Sequence, residues 1–136
     1  MYNVKMPDQK TILLVEDEPL LGKLLRQRLL KEGFGVLYAR DGDEAVESLK
    51  TNKPDLILLD IVLPKMSGFE IMEKIKNDPG LNKAPIIIIS NLGQETDVSK
   101  GEELGAVGYF VKANVSIGEL VDQVKKFFST PPAIPR

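Results

Sequence analysis

The stretch KPDLILLDIVLPKMSG, residues 53–68, decides the fold of this chain. A short run of Leu and Ile ends in Asp60, a turn containing Pro64 follows, and a Ser-Gly pair then begins a helical pattern. A run of this length that is apolar on both faces favours a buried parallel strand. Because parallel strands need crossover connections, the stretch predicts one βα unit of a larger sheet.

Four similar apolar runs occur along the chain, and segments with helical spacing separate them. The predicted strands are residues 11–16, 34–39, 55–60, 85–90 and 107–112. Five βα units predict an α/β domain with a five-stranded parallel sheet, strand order 2-1-3-4-5 and helices on both faces, a flavodoxin-like doubly wound fold. We expect this domain at 11–129, between an N-terminal extension at 1–10 and a Pro-rich C-terminal tail at 130–136.

The predicted helices have clear start and end signals. Ser67 and Ser116 each precede a Glu by three residues, which predicts capping boxes, and Asp41 predicts another capped start. Gly33 and Gly105 suit helix C-termini. The apolar helix faces are expected to comprise Leu21, Leu24, Leu25, Leu29, Ala45, Val46, Leu49, Phe69, Met72, Ile75, Ile117, Leu120, Val121, Val124 and Phe128.

The fourth helix, at about residues 94–104, has the weakest pattern. It contains Gly101, and its apolar face is limited to Val98 and Leu104. Glycine disfavours a helix interior, and a sparse apolar face gives little packing. We therefore expect this helix to be mobile or to depend on a partner.

Composition limits the chemistry that the chain can perform. Cys and His are both missing, which excludes thiolate zinc sites, thiol nucleophiles, Ser-His-Asp triads and a phosphohistidine formed on this chain. A bound metal is therefore expected to be a hard, oxygen-preferring ion, with Mg²⁺ the leading candidate. There are 18 Lys plus Arg and 20 Asp plus Glu, so the basic excess that favours direct nucleic-acid binding is missing.

The sequence gives no sign of membrane insertion. Its apolar runs are far too short to cross a bilayer. Residues 1–10 are polar and lack the apolar middle of a signal peptide. We expect a cytoplasmic location.

Polar side chains follow four of the five predicted strands. Strand 1 ends in Glu16 and Asp17, strand 3 in Asp60, strand 4 in Ser90 and strand 5 in Lys112, whereas strand 2 ends in Ala39 and Arg40. In open parallel sheets, ligands bind beyond the carboxyl ends of the strands, where the strand order reverses. With order 2-1-3-4-5, three carboxylates therefore share one crevice with a hydroxyl and an ammonium group.

Such a crevice suits phosphoryl chemistry. Three adjacent carboxylates repel one another unless protons or a cation intervene, and Mg²⁺ would remove that conflict. A metal and an amine can neutralise phosphoryl oxygens, while a carboxylate can act as the nucleophile and form an aspartyl phosphate. Each residue taken alone has a simpler explanation as a helix cap, a turn residue or a solvated Lys, so this interpretation depends on their coincidence.

At these positions the sequence resembles the receiver domain of two-component response regulators, including the stand-alone chemotaxis regulator type. The resemblance covers about residues 11–129. It is carried by ILLVEDEP at 12–19, ARDG at 39–42 with EA at 44–45, residues 53–68, IIIIS at 86–90 and GAVGYFVK at 105–112. No single stretch is decisive, but together, in this order and spacing, they are highly specific.

The resemblance implies roles for the acidic residues. By this resemblance, Asp60 occupies the position of the phosphoacceptor, and Asp17 occupies the position of a direct Mg²⁺ ligand. Glu16 would hold the ion more loosely through water, and the carbonyl of Val62 would complete the protein's share of the coordination.

Roles for the other strand-end residues follow from the same resemblance. Lys112 would contact the phosphoryl group and the Ser90 hydroxyl would move toward it, so that both would be catalytic residues together with Asp60. Ser90 and Tyr109 would also be the switch residues. The implied donor is a phosphohistidine on a sensor histidine kinase or a histidine phosphotransfer protein. The implied output is a partner protein that reads the face made by helix 4, strand 5 and helix 5. Such a chain is not an enzyme toward other substrates, because it catalyses only its own aspartyl phosphorylation and dephosphorylation.

The sequence departs from the family pattern after Lys112, where Ala113 replaces a Pro that often follows a cis peptide bond. A cis bond before a non-proline residue costs roughly 2.5–4 kcal/mol, so we expect a trans bond. Lys112 is still expected to reach the site, because the strand positions it before the loop begins. Val62 and Leu92 are apolar, and in the family these positions influence the access of water, so we expect slow to moderate self-dephosphorylation.

Three alternatives remain. The first is a pseudo-receiver that binds partners without phosphorylation, although the retention of all the strand-end residues argues against it. The second is a metal-dependent phosphatase, which commonly needs an acid where Val62 stands. The third is a flavin-binding domain, but the loop after strand 1 has the acidic sequence Asp17-Glu18-Pro19, where Gly, Ser or Thr would be expected to bind a phosphate.

Overall fold

Five parallel strands form one sheet in the order β2-β1-β3-β4-β5, as the sequence predicted. The structure is a computed structural model and describes residues 8–129. The strands are β1 (Thr11–Val15), β2 (Gly35–Ala39), β3 (Leu56–Leu59), β4 (Ile86–Ser90) and β5 (Gly108–Val111). The predicted tail at 130–136 lies outside the described residues, as do residues 1–7 of the predicted extension.

Five helices connect and flank the strands. They are α1 (Pro19–Lys31), α2 (Gly42–Thr51), α3 (Gly68–Asn77), α4 (Glu95–Glu103) and α5 (Ile117–Ser129), and a short 3₁₀ turn (Lys112–Asn114) follows β5. No helix within residues 8–129 is long and apolar enough to cross a membrane.

Successive strand residues point to opposite faces, so the sheet separates two buried clusters. Leu13 and Val15 lie in one cluster with apolar residues of α2 and α3. Ile12 and Leu14 lie in the other cluster with residues of α1 and α5. The central strands β1, β3 and β4 are almost wholly buried, which explains their continuous apolar sequences.

Most of the predicted helix faces pack against these clusters, but the prediction for Leu24 is wrong. Leu25 and Leu29 are fully buried, whereas Leu24 is 40% exposed. The buried stripe of α1 runs through Gly22, Leu25 and Leu29, which are three and four residues apart. Leu24 lies beside this stripe, because adjacent helix positions are turned by about 100°.

The predicted helix starts and ends are confirmed, although Ser67 makes only one of the two hydrogen bonds of its predicted capping box. Asp41 and Ser67 accept hydrogen bonds from backbone N–H groups three residues later. Ser116 and Glu119 form a reciprocal capping box, with both hydrogen bonds at 3.0 Å. Gly33 and Gly105 adopt φ angles of 95° and 99°, a left-handed conformation that glycine adopts without strain.

Candidate functional site

The carboxyl ends of the strands bring the predicted polar residues to one edge of the sheet. Backbone hydrogen bonds between neighbouring strands hold Glu16 and Asp60 in place. Glu16 N–H donates to the Ala39 carbonyl and Asp60 N–H donates to the Val15 carbonyl, both at 3.0 Å. Asp60 is therefore held beside the end of β1, where Glu16 emerges.

Three carboxylates meet at this edge, as the sequence predicted. Glu16, Asp17 and Asp60 each offer an oxygen, and these oxygens lie within 4.8 Å of one another. Glu16 and Asp60 are buried, with 0% and 3% of their surface exposed. Asp17 is more open to solvent. Buried like charges at this separation need a compensating positive charge.

Lys112 supplies one such charge. Its Nζ lies 2.7 Å from Asp60 Oδ2, 2.8 Å from Glu16 Oε1 and 2.5 Å from Glu18 Oε2. The amine therefore reaches the site, as predicted, although Ala113 follows it. No cis peptide bond occurs among the described residues, so the bond before Ala113 is trans, also as predicted.

Burial and charge pairing set the proton affinities of this cluster. Burial raises the pKa of Glu16 to about 7, although the Lys112 amine and the backbone N–H of Glu18 partly oppose the rise. Burial by itself lowers the pKa of Lys112, but the close contacts of the amine with the carboxylates of Asp60, Glu16 and Glu18 outweigh it and raise that pKa above its ordinary value. Lys112 is therefore a protonated cation at neutral pH.

The donor set fits a hard divalent cation. Oε1 of Glu16 is buried, and no residue among those described donates a hydrogen bond to it. Its 2.8 Å approach to Lys112 Nζ is an ion pair without hydrogen-bond geometry. A buried carboxylate oxygen without a donor is costly, and oxygen-only coordination is what Mg²⁺ prefers. Glu16, Asp17 and Asp60 could therefore hold this ion.

The remaining predicted residues lie around Asp60 and on the loop after β4. The backbone N–H of Val62 donates to Asp60 Oδ1 at 3.1 Å, and the Val62 side chain is exposed. The Oγ of buried Ser90 accepts from the Leu92 N–H at 3.2 Å. The hydroxyl of half-buried Tyr109 donates to the Leu92 carbonyl. Ser90 and Tyr109 are thus both bonded to the backbone of one loop residue.

Two residues of the site were not predicted. Glu18 contacts Lys112 from the position directly before α1, and the sequence had marked it only as part of the acidic segment at residues 17–19. Gly68 packs against the acidic strand end, because a Cβ there would lie 2.4 Å from the Asp60 carbonyl oxygen. A glycine directly after the capping Ser67, where a better helix former would serve, was the available signal.

The fold and site define a class of protein, namely doubly wound parallel α/β domains with an acidic site and a paired Lys at the carboxyl edge. Within that class, the family model described as the response regulator receiver domain matches residues 12–125. The chain belongs to this family, whose members act as receiver domains of two-component response regulators.

Similar proteins and structures agree with this assignment. The polar-differentiation response regulator DivK of Brucella anthropi is 30% identical over 118 residues, which are 87% of this chain and 95% of DivK. The phosphate regulon transcriptional regulatory protein PhoB of Rhizobium meliloti is 40% identical over 114 residues, which are 84% of this chain and 50% of PhoB. The phosphorylated cyanobacterial phytochrome response regulator RcpA aligns with a TM-score of 0.79 and 30% identity, over 94% of this chain and 99% of RcpA. The chain spans half or less of the length of several of the curated relatives it matches.

Proposed function

We propose that this domain is the phosphoacceptor switch of a two-component phosphorelay, with Asp60 as the acceptor. The observation that carries the proposal is the environment of Asp60. Its carboxylate is buried, ion-paired at 2.7 Å with Lys112, and close to a Glu16 oxygen that has no hydrogen-bond donor among the described residues. This set of groups suits a reaction in which negative charge builds up on phosphoryl oxygens.

The transfer begins from a phosphohistidine on a sensor histidine kinase or a histidine phosphotransfer protein. A carboxylate oxygen of Asp60 attacks the phosphorus, an O–P bond forms, and the P–N bond breaks. The electron pair of the broken bond stays on the donor imidazole. The Lys112 ammonium lies where it can contact the incoming phosphoryl oxygens. Mg²⁺, held by Glu16, Asp17, Asp60 and the Val62 carbonyl, would neutralise charge on those oxygens.

The signal leaves the site through the loop after β4. In the present state, Ser90 Oγ accepts from the Leu92 N–H, and the Leu92 carbonyl accepts from Tyr109. A phosphoryl group on Asp60 attracts the Ser90 hydroxyl, which releases Leu92 and removes the acceptor of Tyr109. Neutral hydrogen bonds are worth only about 1 kcal/mol each, so phosphorylation can shift this equilibrium. The face of α4, β5 and α5 then changes for a partner protein.

The proposed activity is confined to the domain itself. Asp60 gains a phosphoryl group and loses it to water, and no other substrate is converted. The apolar side chains at Val62 and Leu92 offer no group that could orient an attacking water, which supports slow to moderate dephosphorylation. The output is protein binding, without direct contact to nucleic acid.

Intact mass spectrometry tests the proposal. The protein is incubated with acetyl phosphate in the presence of Mg²⁺ or of a chelator, beside the variant Asp60→Asn. We expect a gain of one phosphoryl group that requires Mg²⁺ and is lost in the variant. No gain under conditions where Mg²⁺ binds would contradict the proposal and favour the phosphorylation-independent binding module.

A further inference from the structure

The edge strand β2 contacts the acidic site through Tyr38, although no group comparable to the other strand-end residues was predicted for that strand. Tyr38 pairs with Leu14 of β1 in the sheet register. Its phenol extends along β1, and its hydroxyl donates to the backbone carbonyl of Glu16 at 3.0 Å. The bond is partly buried, so it is shielded from competing water.

Gly22 of α1 provides the space for this phenol. A Cβ at Gly22 would lie 2.3 Å from the Tyr38 hydroxyl oxygen and 2.8 Å from the adjacent ring carbon. Gly22 is buried in the interior of a helix, where alanine is favoured over glycine on propensity alone. The guanidinium of Arg26 covers the ring at 5.3 Å from its centre. Two contacts from one helix therefore fix the position of the hydroxyl.

The hydrogen bond acts on the peptide that joins two of the acidic residues. The Glu16 carbonyl and the Asp17 N–H belong to one planar unit, so holding the carbonyl fixes the direction in which Asp17 leaves the strand. The Glu16 N–H is held separately by the Ala39 carbonyl at 3.0 Å. β2 thus restrains Glu16 on both sides.

We propose that Tyr38 is a positioning residue of the divalent-cation site, and that it orients the Glu16–Asp17 peptide so that both carboxylates face Asp60. The inference rests on the proposed function, because it assumes that these carboxylates hold Mg²⁺. Tyr38 itself touches neither the ion nor the phosphoryl group. Its effect is therefore expected on the affinity for Mg²⁺ and not on the rate of transfer once Mg²⁺ is saturating.

The test is the Mg²⁺ dissociation constant of Tyr38→Phe, measured by isothermal titration calorimetry at fixed pH and ionic strength. The variant loses only the hydroxyl. We expect binding about three- to tenfold weaker than in the wild type, because one hydrogen bond contributes about 1 kcal/mol. Phosphorylation by acetyl phosphate should need correspondingly more Mg²⁺ but reach the wild-type rate at saturation.

A matched control separates positioning from general stability. Lys83 Nζ donates to the Ile75 carbonyl at 2.5 Å, near the end of α3 that points away from Asp60. Lys83→Met should lower the melting temperature and leave the Mg²⁺ affinity unchanged. Gly22→Ala, which displaces the phenol, should weaken Mg²⁺ binding as Tyr38→Phe does.

The possible outcomes distinguish this inference from the proposed function. If the wild type binds Mg²⁺ and Tyr38→Phe binds it equally well, Tyr38 has no positioning role, while the proposed function stands. If Lys83→Met weakens binding as much as Tyr38→Phe does, the effect is one of stability and the inference also fails. A wild-type protein that does not bind Mg²⁺ would contradict both.

Discussion

Lys112 is the residue on which the charge balance of the site depends. The carboxylates of Glu16, Glu18 and Asp60 all lie within 2.8 Å of its amine, and its side chain is only 13% exposed. Removing one partner of a buried ion pair leaves the others uncompensated, which is costlier than losing a surface pair. In the proposed function the same amine contacts the phosphoryl group, so Lys112 links the stability of the domain to that function.

Lys112→Met should therefore lower the free energy of unfolding by roughly 3 kcal/mol in the absence of divalent cations. Added Mg²⁺ should raise the melting temperature more in the variant than in the wild type, because the cation replaces the missing positive charge. Thermal unfolding with Mg²⁺ and with a chelator measures both effects. Lys125→Met is the control, since Lys125 forms an exposed pair with Glu32 at 3.2 Å. Equal Mg²⁺ effects in the wild type and in Lys112→Met would contradict this account.

Lys65 has a backbone conformation that is unusual for its type, with φ at 68°. Its amine pairs with Asp41 and Asp43 at 3.3 and 3.5 Å. Lys65→Gly and Lys65→Ala both lose these pairs, but only alanine retains the left-handed strain. The glycine variant should be more stable than the alanine variant by about 1 kcal/mol in urea unfolding. An alanine variant of equal or higher stability would show that the strain is not present in solution.

At the scale of elements, α4 depends on how β5 packs beneath it. Gly101 is buried in α4, and a Cβ there would lie 2.7 Å from Ile88 Cδ1 and 3.2 Å from the Tyr109 ring. The glycine that makes α4 a poor helix by propensity is also what lets Tyr109 lie close enough to reach the Leu92 carbonyl. The low helix propensity of α4 and the position of Tyr109, the proposed switch residue, thus have one cause.

Gly101→Ala is expected to destabilise the domain by about 1–2 kcal/mol, because overpacking outweighs the gain in helix propensity. Gly118→Ala is the matched control. Gly118 also lies in a helix, but a Cβ there would have its nearest neighbour at 3.8 Å. In the same urea titrations, Gly118→Ala should leave the free energy of unfolding unchanged or raise it. A stabilised Gly101→Ala variant would mean that Tyr109 does not pack against α4.

The capping box at the start of α5 should make a contribution to the free energy of unfolding that depends on pH. A hydrogen bond from the Ser116 N–H lowers the pKa of Glu119 below its ordinary value. Because the folded-state pKa is the lower one, this stabilisation is complete above the unfolded pKa of about 4.3 and is lost as the pH falls through the folded value. Glu119→Gln should therefore be less stable than the wild type at neutral pH, with a difference that vanishes in acid. Urea unfolding of both proteins from neutral to acidic pH measures this difference in stability. A difference that does not change with pH would contradict the role given to the Glu119 carboxylate.

At the scale of the whole molecule, the sheet explains why the site could be predicted. The carboxyl ends of parallel strands must meet at one edge, so the residues that follow the apolar runs are brought together by topology alone. This holds for Glu16, Asp60 and Lys112, whose positions were predicted from the sequence and are observed.

What the sequence did not predict depends on how the helices are rotated against the sheet. The exposure of Leu24, the contact of Glu18 with Lys112 and the fit of Tyr38 to Gly22 all involve α1 or the turn that begins it. Helical periodicity defines a face to within a residue or so, and it carries no information on which distant side chain fills the space. Such contacts can be read only from three-dimensional packing.

The position of the phosphoryl group tests the central claim most directly. The protein phosphorylated by acetyl phosphate is treated with borohydride, which reduces an aspartyl phosphate to homoserine, and tandem mass spectrometry then locates that residue. We predict homoserine at position 60 and unchanged aspartate at position 17. Homoserine at another position, or a phosphorylated protein without homoserine, would contradict the assignment of Asp60 as the acceptor.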